Sequence, residues 1–324
     1  MIRRTTLLGC VLALALPIVG CDSDPDPVDG GGGTDAGGDT DAGMTTELPD
    51  PVTIQDSAMM ATAADYACRG TAVAPTAGAD VSFTIEARDF FESEFVVEGL
   101  TVDFFPDGVV TDGCTGTCMS TTTDASGQAT VMAGEGGWFA YRISAGDGQR
   151  VGPDAPTETD AYVSAVQVNE VTPAASETST LNAVRASTIT TVGSIAGLVP
   201  QPGTAIVTGT AEDCAGNAVQ NAQLRVFNAA GEIEFGSASS GPRRFYFVGS
   251  IPNSMRSAST ENGLFGAGNL PADGPLRVEV WGVPAAGGEL ELLGCEMVEP
   301  VADGISIVTV GGVRSDGPTD CSGS

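Results

Sequence analysis

The chain has 324 residues, room for two or three domains of usual size, and carries 42 acidic against 13 basic side chains for a formal net charge of −29. All the basic residues are Arg; neither Lys nor His occurs. A surface so acidic repels phosphate backbones and argues against nucleic-acid binding. The missing imidazole and lysyl amine remove Ser-His and Cys-His pairs, Schiff bases, the P-loop lysine and His-based zinc sites.

The first 21 residues, MIRRTTLLGCVLALALPIVGC, read as an export signal. Arg3 and Arg4 form a positive start, and the apolar stretch from Leu7 to Val19 is too short to span a bilayer as a helix. Ile18-Val19-Gly20-Cys21 resembles the lipobox of bacterial lipoproteins. That resemblance implies that the signal over residues 1–21 is cleaved before Cys21, with diacylation of Cys21 on sulfur and acylation of the new amino group. Anchoring by several acyl chains is stable where one is marginal. The earlier string Leu7-Leu8-Gly9-Cys10 is set aside, because cleavage there would leave an apolar stub. The implied partner is a membrane. The outer membrane or cell surface is favoured, since an acidic run after Cys21 resembles surface-export signals. Asp22 resembles an inner-membrane retention signal, which keeps the periplasmic face open.

Residues 22–56 hold ten acids, no base and many Gly and Pro, a composition expected to stay a disordered tether. Calcium binding by this run is the sharper alternative, but the EF-hand spacing is absent. Asp56 or Ser57 can cap a short helix through AMMATAADYA, with Met60, Ala64 and Ala67 on one face. From Cys68 onward the period becomes two. VSFTIEA, GLTVDFF, QATVMA, GWFAYRIS and AYVSAVQV read as strands of a first sandwich, residues 57–175. Residues 176–203 form a connector that can begin a helix at Leu181 and Val184. Pro200 to Gly203 marks a boundary. A second sandwich, residues 204–315, contains AIVTGTAED, AQLRVF, RRFYFV, PLRVEVWG and ISIVTV, before a tail over 316–324. The fold class expected is all-β, two Ig-like sandwiches in tandem.

Both halves repeat a strand, a short turn, a second strand, then a Thr-rich turn ending in Gly. The second carries Gly209, Asp213, Gly216, Val219, Ala222, Leu224, Thr260, Asn262, Gly263, Phe265, Leu270 and Pro271. This string resembles the carboxypeptidase regulatory-like domains, transthyretin-like sandwiches. In the first half Ala129 stands where the family has Phe. The resemblance implies accessory or surface modules without catalytic residues, and no cofactor.

Six cysteines remain after Cys10 and Cys21 leave the count. An exported chain with an even number favours disulfides. Cys214 pairs with Cys295 within the second domain on this reading, and Cys114 with Cys118 in the turn GCTGTC. By elimination Cys68 joins Cys321. Redox chemistry at that turn lacks the CxxC spacing and a basic neighbour.

Alternation places Trp138 with Arg142, and Trp281 with Arg277, on polar faces. An exposed ring beside Arg and a carboxylate suits sugar stacking; packing of each ring on its neighbouring Arg stem is the competing reading. Asp103, Asp107, Asp112 and Asp124 are the nearest carboxylates for a glycosidase pair, but turns also use Asp. No catalytic or metal site is assigned. The expected function is a non-catalytic envelope lipoprotein for binding, adhesion or structure. A carbohydrate-binding lipoprotein is the alternative and a secreted hydrolase the third reading. Polysaccharide or another envelope protein is the partner class.

Overall fold

The structure is a computed structural model, and it describes residues 50–56, 58–68, 77–111 and 113–311. The first half contains β1 (Thr53–Gln55), β2 (Ala61–Ala63), β3 (Asp80–Asp89), β4 (Val96–Glu98), β5 (Thr101–Phe105), β6 (Met119–Thr122), β7 (Gln128–Gly134), β8 (Trp138–Ile143), β9 (Gly146–Val151), β10 (Thr159–Tyr162), β11 (Ala165–Val171) and β12 (Thr178–Ala183). One helix follows among the described residues, α1 (Ala186–Ala196). The second half contains β13 (Ala205–Glu212), β14 (Gln223–Asn228), β15 (Gly231–Glu232), β16 (Arg243–Val248), β17 (Ile251–Asn253), β18 (Leu264–Leu270), β19 (Leu276–Gly282), β20 (Glu291–Val298) and β21 (Ile305–Gly311).

The alternation read from the sequence does its expected work. Phe83 and Ile85 on β3, Val102 and Phe104 on β5, and Phe139, Tyr141 and Ile143 on β8 all lose their solvent. They fill a core between a six-stranded sheet, β10-β9-β4-β3-β12 with β7 also on β3, and the β11-β8-β5-β6 end of a nine-stranded sheet. Phe83, Phe104 and Phe139 meet with ring centroids 5.1–5.8 Å apart, contacts worth about 0.5–1.5 kcal/mol each beyond area burial. A buried polar tie crosses the two layers. The Tyr141 hydroxyl donates to Gln167 Oε1 (2.6 Å) and accepts from the backbone N–H of Asn182 on β12 (2.7 Å).

The second core lies between the four-stranded sheet β15-β14-β19-β20 and the β21-β13-β18-β16-β17 end of the same nine-stranded sheet. The two sandwiches are therefore fused through one sheet, rather than strung as separate modules. At the join, β21 runs parallel to both β11 and β13. Successive side chains of a strand point to opposite faces. Ile305 and Ile307 of β21 pack into the first core, while Val308 and Val310 belong to the second. The two cores thus sit against opposite faces of the shared sheet. Helix α1 covers the second lobe's other face, where Ala196, Leu198 and Phe245 form a small third cluster.

Four expectations are corrected. Residues 50–56 are not tether: Val52 is 1% exposed and belongs to the second core. AMMATAADYA is not helical. The Asp56 carboxylate accepts from the backbone N–H groups of Ala58 (2.8 Å) and Met60 (2.9 Å), turning the chain into β2 instead of capping a helix. Met60 stays exposed while Ala64 packs inward. AYVSAVQV is not one strand. Tyr162 ends β10 in the six-stranded sheet, and Ala165 starts β11 in the nine-stranded one. Lastly, Leu181 and Val184 are core residues before the helix, since Thr178–Ala183 pairs in parallel with β3. β-branched Thr favours that ladder, and the helix waits until Ala186.

The join between β13 and β21 is tight. A Cβ at Gly209 would lie 1.7 Å from the Val308 carbonyl oxygen, so the backbone itself would have to move. Gly209→Ala is expected to cost about 1–3 kcal/mol and to lower Tm by several degrees. Gly274→Ala, with nothing within 4 Å of its Cβ, should be near neutral in the same thermal melt. Equal melting of the two variants would show that the approach is not constraining.

Candidate functional site

On the outer face of the four-stranded sheet, β14 contributes Arg225 and Phe227 and β19 contributes Arg277, Glu279 and Trp281. Pairing sets Arg225 opposite Glu279 and Phe227 opposite Arg277. Glu279 is 3% exposed and holds two neighbours. Its Oε2 accepts from Trp281 Nε1 at 2.7 Å, and its Oε1 pairs with Arg277 Nε at 2.8 Å. The Arg225 guanidinium lies 4.3 Å from the Trp281 ring centroid, and that of Arg277 lies 4.6 Å from Phe227. Trp281 is thus packed under an Arg, but under the diagonal Arg225 of β14 and not its own strand's Arg277. The two charge-over-ring contacts form a ladder of packed side chains.

The face carrying Trp138 is not open either. Ala140 is fully buried. Arg142 reaches Asp103 through Nη2 (2.8 Å) and Nε (3.2 Å), donates to the Thr111 carbonyl (3.1 Å), and lies 5.6 Å from the centroid of Phe105. Trp138 Nε1 is buried without a hydrogen-bond partner among the described residues. The structure therefore does not bring Trp138 and Arg142 together as a stacking platform.

Three of the four carboxylates considered for hydrolysis have structural partners. Asp103 holds Arg142 and Ser120 Oγ (2.8 Å), Asp107 accepts from Val109 N–H (3.1 Å) and Thr117 Oγ1 (3.0 Å), and Asp124 accepts from the N–H groups of Ser126 (2.8 Å) and Gln128 (3.0 Å). Asp112 lies outside the described residues. The Asp103 carboxylate also lies near the sulfurs of Cys114 and Cys118. Those sulfurs are joined to each other, so they cannot supply the thiolates that a metal would need.

The cysteine pairing corrects the sequence reading. Cys68 bonds to Cys214, and Cys114 to Cys118 as expected. Cys295 is itself disulfide-bonded, but not to Cys214. Cys10, Cys21 and Cys321 lie outside the described residues. The bridge Cys68–Cys214 sits in a group the sequence reading missed. Asp213, fully buried, accepts from Ala215 N–H (3.0 Å), Asn217 N–H (2.9 Å) and Asp65 N–H (3.2 Å), and Cys214 N–H donates to the Asp65 carbonyl (2.8 Å). One signal was available. The first half as drawn above holds three of the six cysteines, so a full set of bridges must carry at least one out of it; the expected Cys68–Cys321 did so, but the bridge found is Cys68–Cys214.

Beside this bridge, burial pushes the Glu212 carboxyl up to about 7, helped by the charges of Glu170 and Asp213. Burial, then Asp213 and Glu212, raise the Tyr66 hydroxyl above its ordinary range. Elsewhere five arginines are spent internally. Arg88, Arg142, Arg150, Arg185 and Arg277 each meet a carboxylate at 2.6–2.8 Å. That leaves the remaining acids to set the surface potential.

A carboxyl whose folded pKa lies above its unfolded value stabilises the fold fully below the unfolded pKa, and this contribution is lost as pH rises through the folded one. For Glu212 the window runs from about 4.5 to about 7. Glu212→Gln, which stays neutral, should raise Tm relative to the parent more at pH 8 than at pH 5. An equal effect at both pH values would rule out the buried charge as its origin.

No protein-family model matches the chain, and a comparison with curated proteins finds no relative. Among solved structures it is similar to the TIE protein of Bacillus anthracis, at 14% identity over 72% of this chain, TM-score 0.20. The chain spans about a third of that protein's length, 34%. It is also similar to the shaft pilin SpaA of Lactobacillus rhamnosus GG, at 10% identity over 72% of this chain and 99% of the pilin, TM-score 0.21. The minor pilin GBS52 of Streptococcus agalactiae gives 12% identity over 74% and 98% of the two chains, TM-score 0.21. At such scores the likeness stops short of a shared arrangement of the whole chain.

Proposed function

We propose that the chain is a lipid-anchored cell-envelope lipoprotein whose fused sandwiches act as a non-catalytic binding, adhesion or structural module. The observation that carries this reading is Ile18-Val19-Gly20-Cys21 at the end of a short apolar stretch, followed by an acidic run, with a described β-rich body from Asp50 onward. No described helix is long and apolar enough to cross a membrane, and an acylated Cys21 would supply attachment without one. Covalent geometry caps the reach of residues 22–49 at about 100 Å at ~3.5 Å per residue. The outer membrane or cell surface is the favoured location.

The internal use of the charged and aromatic groups supports the non-catalytic part. Of the carboxylates considered for hydrolysis, Asp103, Asp107 and Asp124 instead hold an arginine, hydroxyls or turn N–H groups. Rigid β layers with exposed loops suit display. Arg225 over Trp281 and Arg277 over Phe227 favour an envelope protein above a polysaccharide as the partner, since each ring already has a cation on one face.

Mass spectrometry of the protein purified from membranes of a bacterial host tests the anchor. The N-terminal peptide should begin at Cys21 with diacylglycerol on sulfur, and Cys21→Ser should leave the chain unprocessed or in the soluble fraction. A mature chain with bare Cys21, recovered free of membranes, would contradict the reading.

A further inference from the structure

The N-terminal stretch from Pro51 to Cys68 is a strap on the second lobe, although the first lobe follows it in sequence. Val52 N–H donates to the Val283 carbonyl (2.9 Å), Asn221 Nδ2 donates to the Pro51 carbonyl (2.9 Å), and Gln220 N–H donates to Thr53 O (2.8 Å). The Val52 side chain occupies space that a Cβ at Gly282 would claim, at 2.3 Å. Ile54, Ala64 and Tyr66 pack on the same core. The strap ends at Cys68, bonded to Cys214 two residues after β13 closes. Every element of the first sandwich, β3 to β12, lies inside the loop that this bridge closes. The first lobe is an insertion whose base is covalently pinched.

We propose that the Cys68–Cys214 bridge divides the body by mechanical role: the second lobe takes the pull of the anchor, and the first lobe's backbone is kept out of the anchor's load path. A pull arriving at Asp50 peels against the strap's hydrogen bonds, stops at Cys68, and crosses the disulfide to the turn between β13 and β14. From there it continues along β14 into the rest of the second lobe. Residues 69–213 are bypassed, because a closed covalent loop cannot lengthen however hard its two ends are pulled. The first sandwich is thus the surface free to hold a partner while the anchor is loaded, and a partner's counter-pull reaches the second lobe through the ladders of β11 and β13 on β21. The biological setting rests on the reading of Cys21 as the anchor, but the load path itself does not depend on lipid.

Single-molecule stretching of the chain carrying Cys21→Ser, held by tags at its two ends, reads this path directly. The parent chain should reach a final length shorter than that of Cys68→Ser/Cys214→Ser by the span of residues 69–213, roughly 500 Å at ~3.5 Å per residue. Release of the first lobe should occur in the double variant alone. Equal final lengths, or release of the first lobe from the oxidised parent, would overturn the proposal. Mass spectrometry of unreduced proteolytic peptides of the parent needs no variant to fold. A Cys68–Cys214 peptide supports the path; Cys214 found with Cys295, or both as free thiols, overturns it. Neither readout moves if Cys21 proves unacylated, so the two ideas fail separately.

Discussion

The parallel ladders that β21 makes with β11 on one side and β13 on the other are the constraint from which the rest of the architecture follows. A strand has two faces, and β21 spends each on a different core: Ile305 and Ile307 on the first, Val308 and Val310 on the second. Neither sandwich can complete its layer without this last strand. The nearest packing partners of residues 205–212 are therefore the final seven residues of the described chain as well as β18. Such long-range parallel pairing is reached slowly in folding, because loop closure must come before the contacts. Disulfide closure between Cys68 and Cys214 shortens that search by holding together two points otherwise 146 residues apart, and it stabilises the fold by restricting the unfolded chain.

Charge is organised by the same logic. A chain with this excess of acid repels itself, and its few arginines are placed where they relieve the most crowded carboxylates. Arg185 lies 2.7 Å from Asp89, which is 1% exposed, and 3.1 Å from Glu92, while Arg150 joins Asp160 and Glu92. Removing one partner of such a buried pair leaves an uncompensated charge, which is far more costly than the pair is stabilising. The bridge region is the exception. Around Glu212 the charges on Glu170 and Asp213 raise the cost of ionisation instead of lowering it, and acid conditions favour that end of the sheet.

Period-two patterns were readable wherever a strand has one face in a core. Phe83 and Ile85, Val102 and Phe104, and Val278 and Val280 all point as alternation requires. The turn motifs were readable too, because Asp124, Asp213 and Asn262 each accept backbone N–H groups just after themselves, an event local in sequence. What could not be read is what depends on distant chain. Residues 58–67 have helical propensity, but β1, the second core and Cys214 claim them. Trp281 is capped by Arg225 because β14 lies beside β19, and no spacing within β19 encodes that neighbour. The Cys214–Cys295 pairing failed on the assumption that the second half closes on itself, whereas the halves share a sheet and a strap.

The shared strand is tested most directly by native-state hydrogen exchange of the backbone amides in β11 and β13 that face β21. The amides of Val166 in β11 and of Ile206 and Thr208 in β13 should open with the same free energy and respond in parallel to added denaturant, as members of one cooperative unit. Exchange of the β11 amides at a distinctly lower free energy, while those of β13 keep full protection, would show two independent sandwiches and contradict the fused architecture.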